Sequence, residues 1–107
     1  MNDESDKVKI YTKLIGRYLN ISKPNGVSEI EFELRPTGDD NEYYLSIVYV
    51  IPNDSIILKS RNLINQTRTN WNLEIVKTIK NYFGVDVIIN SSGTQSESYY
   101  NRQKRYE

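Results

Sequence analysis

The chain has 107 residues, fourteen basic and fourteen acidic, and 37% of it is apolar; that is enough for one hydrophobic core and too much, given its striped pattern, for wholesale disorder. Cysteine and histidine are both absent, which excludes disulfides and thiolate metal sites and removes the usual near-neutral general base and the commonest nitrogen ligand. No run approaches the roughly 20 apolar residues that span a bilayer, and Met1 to Asp6 lacks the basic start and apolar middle of a secretion signal, so a soluble, cytoplasmic protein without membrane contact is expected by default.

From Asp6 to Asn20, Val8, Tyr11, Ile15, Tyr18 and Leu19 recur at helical spacing, with Leu14 widening the stripe. Ser5 or Asp6 is placed to cap this amphipathic helix, and Lys7, Lys9, Lys13 and Arg17 fall on its wetter face. Ser22-Lys23-Pro24-Asn25-Gly26 reads as a turn. Val27 to Arg35 then alternates, Ile30, Phe32 and Leu34 against Glu29, Glu31, Glu33 and Arg35, which predicts a half-buried strand with an acidic outer face.

A second turn, Pro36 to Asn41, leads to a strand over Tyr43–Ile51, most economically paired antiparallel with the first. This strand is apolar on both sides, with Tyr44, Val48 and Val50 opposite Tyr43, Leu45, Ile47, Tyr49 and Ile51. It is therefore central in a sheet, or its second side meets a partner. Ser55 to Lys59 is read as a short third strand or as the lead into a helix.

Ser60 caps the next helical stripe, which runs through Trp71, Ile75, Ile79 and Phe83; Thr69 and Asn70 allow a break, so residues 60–83 form one bent helix or two. Gly84 is placed as a C-cap before a last strand over Val85–Asn90. Ser91 to Glu107 holds no aliphatic residue and reads as a polar tail, disordered or ordered by a partner. The predicted architecture is α+β, in the order α-β-β-(β)-α-β: one domain over residues 1–90, with a small antiparallel or mixed sheet of three to four strands covered by two or three helices.

Charge is separated along the chain. Lys7 to Lys23 holds five basic and no acidic residues, whereas Ser28 to Asp54 holds seven acidic residues and one arginine. An electrically two-sided domain suits stacking of subunits or docking to a polarised partner, and its basic helix also suits nucleic acid phosphates.

Candidate chemistry is sparse. Asp39, Asp40 and Glu42 form a tight acidic group, without the ligand series of a calcium loop, and read as an exposed turn. Gly16, Gly26, Gly38, Gly84 and Gly93 are isolated, so no phosphate-cradling loop exists. Ser55 with Lys59 and Thr78 with Lys77 carry no signature of an activated nucleophile. No catalytic, cofactor-binding or metal-binding residue is assigned, and a noncatalytic role without cofactor is expected.

Recognition is expected elsewhere. Tyr44, Val48 and Val50 offer a second strand face, and Trp71 becomes an interface anchor if exposed. In the tail, Tyr99, Tyr100, Arg102, Lys104, Arg105 and Tyr106 interleave aromatic and basic side chains, suited to a groove on a protein or to stacked bases and phosphates.

Over about residues 6 to 90, the order helix, strands, helix, strand resembles small ring-forming tail-completion or head-tail connector proteins of tailed viruses. That resemblance implies a virion component that oligomerises around the tail channel, with loops and terminal arms touching neighbouring rings. A split of residues 60–83 would instead resemble the second type of KH domain, which implies a GXXG loop on single-stranded nucleic acid; Gln66 to Trp71 stands there and contains no glycine. The sequence thus predicts a structural or adaptor subunit of a homo-oligomer or larger protein assembly. The alternative is a nucleic-acid-binding module that uses the N-terminal helix or the tail.

Overall fold

The computed structural model describes residues 3–105. Helix α1 (Asp3–Ile21) precedes the antiparallel strands β1 (Glu29–Pro36) and β2 (Glu42–Ile51); a 3-10 turn (Ile56–Lys59) leads into helix α2 (Arg61–Phe83), strand β3 (Asp86–Ser96) and helix α3 (Glu97–Arg105). This is an α+β fold, and its three-stranded sheet is mixed, in the order β1-β2-β3, with β3 parallel to β2.

The alternation in β1 sets the register. Ile30 pairs with Tyr49 and Leu34 with Leu45, and all four are buried on the first face of the sheet. Against this face α1 packs Ile15 and Leu19, and α2 packs Trp71, Ile75 and Ile79. Tilted ring contacts bind the layers, Tyr11 with Tyr43 at 5.8 Å and Tyr49 with Trp71 at 5.0 Å, an arrangement that adds to plain area burial. The turn after α1 is tight because Gly26 adopts φ 91°; a side chain there would be strained, and its Cβ would meet Trp71.

Helix α2 is one continuous element. Thr69, where the sequence allowed a break, returns its hydroxyl proton to the Asn65 carbonyl at 2.9 Å and so satisfies itself inside the helix. Ser60 Oγ accepts from Leu63 N–H, and Gly84, at φ 66°, closes the C-terminus by donating to the Lys80 carbonyl. The six-element order of the KH resemblance therefore does not form.

Residues 55–59 make no strand. Ser55 Oγ accepts from Ile57 N–H and starts the 3-10 turn instead, leaving Ile56 68% exposed. A larger difference lies at the other end of the chain, where the expected domain boundary, Asn90, falls inside β3. A bulge there shifts the register between Leu45 and Ser46, after which Ser91 to Ser96 pair with Ser46 to Ile51. These polar residues enter the sheet through backbone hydrogen bonds to β2, which need no apolar alternation.

Candidate interaction surface

Because side chains alternate along a strand, the second face of the sheet carries Glu29, Glu31, Glu33 and Arg35 of β1. Tyr44, Ser46, Val48 and Val50 of β2 lie beside them, with Ile88, Ser91, Gly93 and Gln95 of β3 completing the face. Only part of this face is covered. Helix α3 touches β2 and β3, and Val50, which stands outside the main core cluster, is fully buried.

The start of α3 is fixed from two directions: Ser96 Oγ accepts from Tyr99 N–H at 3.2 Å and Asn53 Oδ1 accepts from Ser98 N–H at 3.1 Å. These contacts satisfy donors that a helix N-terminus leaves open. Further along, Tyr100 Oη donates to Glu31 Oε1 at 3.0 Å, and Lys104 Nζ lies 2.8 Å from the same oxygen. The Lys104 ammonium holds the Glu31 carboxyl below its ordinary range, with help from Tyr100, while partial burial followed by the Glu31 charge raises the Tyr100 phenol. Arg102 lies 6.0 Å from the centre of the Tyr99 ring.

Beyond α3 the face is open. Tyr44 is 41% and Ile88 44% exposed, and a shallow depression of about 280 Å³ is lined by Glu31, Glu33, Ser46, Val48 and Ser91 with parts of Phe32 and Ile47. Glu33 holds Arg35 at 2.8 Å beside it. Glu42 and Asp86 face each other across β2 and β3 at the same end.

The ten residues expected at an interface thus separate. Tyr44 and Val48 belong to the open face; Tyr99, Tyr100, Arg102 and Lys104 lie on α3 beside it; Arg105 ends α3, and Tyr106 lies outside the described residues. Val50 and Trp71 are corrections. Val50 lies on the face that α3 covers and Trp71 is only 5% exposed in the main core, so this chain itself fills the surfaces they were expected to offer.

The acidic turn behaves as a turn. Thr37 Oγ1 donates to Glu42 Oε1 at 2.9 Å and accepts from Asp39 N–H at 3.2 Å; among the described residues no group of three or more carboxylates is placed to hold a metal ion. A polar network lies between α2 and the sheet: Tyr49 Oη donates to Asn72 Oδ1, Asn72 Nδ2 donates to Ser92 Oγ, and Arg68 donates to the Ser92 carbonyl. Burial, then the Glu74 charge, pushes the Tyr49 phenol far up. It therefore serves as a hydrogen-bond donor and not as a base.

One surface escaped the sequence reading. Ile10, Leu14 and Ile21 are 56%, 42% and 85% exposed, and with Arg17 they form an outward stripe at helical spacing on α1. The signal was present as a second set of apolar positions beside the core stripe. Among the described residues, Lys7, Lys9, Lys13 and Arg17 around it form no ion pair.

Three comparisons with known proteins bear on this geometry. No family model, no curated protein and no solved structure matches the chain. No helix among the described residues is long and apolar enough to cross a membrane.

Proposed function

We propose that the chain is a noncatalytic structural or adaptor subunit of an oligomeric protein assembly, which docks through the open part of its second sheet face. The observation that carries this reading is the exposure of Tyr44 and Ile88 side by side on paired strands, with half-buried Val48 further along β2 beyond the Ser46–Ser91 pair, and Glu33 and Arg35 on the neighbouring strand. An apolar and aromatic centre with a charged margin is the anatomy of a protein contact. Helix α3 borders the same face, where Tyr100 and Lys104 both reach Glu31. A head-tail connector or tail-completion protein is one concrete form of such a subunit, supported by element order alone.

In native extract of the cells that make it, the chain should elute well above its own 12.5 kDa. Tyr44→Lys with Ile88→Lys should shift it to the monomer position. Elution of the unchanged chain as a monomer would sink the proposal. The cations of α1, which form no ion pair among the described residues, favour a second reading, a nucleic-acid-binding module. It requires binding to single- or double-stranded nucleic acid that weakens steeply as salt rises, and no binding at low salt excludes it.

A further inference from the structure

Two of the exposed apolar patches lie on opposite sides of the sheet. α1 packs on the first face of the sheet through Ile15 and Leu19, so its stripe of Ile10, Leu14 and Ile21 points away from the sheet, while Tyr44 and Ile88 project from the second face. The two patches differ in charge as well as in place. Around the α1 stripe stand Lys7, Lys13 and Arg17 without an ion pair among the described residues. Glu33, Glu42 and Asp86 flank Tyr44 and Ile88 along the three strands, with Arg35 the cation beside them on β1 and Lys80 paired to Asp86.

We infer that α1 of one copy docks on the open second face of another copy. Ile10 and Leu14 meet Tyr44 and Ile88, and Lys13 and Arg17 meet Glu33 and Glu42. Two different surfaces on opposite sides make the contact heterologous, so repetition closes a ring or continues as a filament, and each copy keeps both faces engaged. Charge selects this pairing over the symmetric alternatives: two α1 stripes would oppose cation to cation, and two sheet faces carboxylate to carboxylate. The inference rests on the assembly reading above and names a second copy of this chain as the partner.

Complementary variants of the full chain test it by light scattering after size exclusion. The wild-type chain should form species larger than 12.5 kDa that dissociate as salt rises. Ile10→Gln/Leu14→Gln/Arg17→Gln and Tyr44→Lys/Ile88→Lys should each be monomeric, with the wild-type circular dichroism spectrum. Mixed in equal amounts, they retain one intact contact and should give a species of twice 12.5 kDa. Should both variants misfold, Leu14→Cys/Ile88→Cys provides the independent measurement: the natural chain has no cysteine, so oxidation should give a ladder of cross-linked copies on a denaturing gel, whereas Leu14→Cys alone should give no cross-link.

A wild-type chain that stays monomeric when pure overturns the inference. So does self-association by the α1 variant alone, which would place two sheet faces together, or a folded mixture that remains monomeric. A monomeric wild type that sediments with phosphatidylserine vesicles also overturns it and assigns the α1 stripe to a lipid surface. A pure monomer that elutes as a large complex in native extract removes only the second copy as partner. Monomers in both settings remove the assembly reading as well.

Discussion

Tyr100 donates its phenolic proton to Glu31 Oε1 at 3.0 Å across 69 positions of sequence. That bond joins α3 to an edge strand and decides how much of the second sheet face is covered. It works beside Lys104, which reaches the same oxygen, so one carboxylate holds two side chains a helical turn apart.

Neutralising that carboxylate should loosen α3 and little else. In Glu31→Gln, hydrogen exchange of amides 97–104 should accelerate while amides of β2 keep their protection. Global stability should fall by less than about 1 kcal/mol, because the groups are largely exposed. Unchanged exchange in α3 would show that its two N-terminal caps hold it alone.

Acid should do the same to the wild type. Glu31 has a folded pKa below its ordinary value of 4.5, so its contribution is complete above that value and is lost as pH falls through the depressed folded one. The Tyr100 ring resonances should therefore shift below pH 4.5 toward those of Glu31→Gln. In that variant the same acid step should be absent.

Truncation separates the two halves of the C-terminal region. A chain ending at Ser96 keeps all of β3 and should melt cooperatively, with Val50 newly accessible. A chain ending at Asn90 loses the partners of Ser46 to Ile51 and should lose its cooperative transition by circular dichroism. Equal melting of both would mean that the polar part of β3 adds nothing to the sheet.

Aromatic packing in the core predicts a contrast along one helix. Trp71→Ala removes a buried ring that touches Tyr49 and should cost about 3–5 kcal/mol by urea denaturation. Two residues later, Leu73 is 66% exposed, and Leu73→Ala should change stability by no more than about 0.5 kcal/mol.

These elements were legible in the sequence to very different degrees. Ile30, Phe32 and Leu34 alternate with glutamates, and a one-residue slip would have turned all of them to the wrong side, so β1 and its pairing followed from pattern. Tyr44 and Val48 could be placed on the second face for the same reason. Ser91 to Gln95 gave no such sign, because their place in β3 comes from main-chain bonds to β2, and backbone groups are alike in every sequence. Helix α3 was hidden in turn by its dependence on Glu31 and Asn53, both far upstream. The stripe of Ile10, Leu14 and Ile21 was missed for the opposite reason: α1 carries apolar residues on two faces, and the first accounted for the core.

The parallel pairing of β3 with β2 also fixes an order in time. β1 and β2 need only close the short turn over residues 37–41, whereas β3 cannot find its register until α2 has formed and carried the chain back to Asn41, whose carbonyl accepts from Asp86 N–H. Distant pairings of this kind bear a larger loop-closure entropy and form late. Substitutions in Ser91–Gln95 should therefore leave the refolding rate almost untouched and quicken unfolding, which makes the last strand the latch on the lifetime of the folded state.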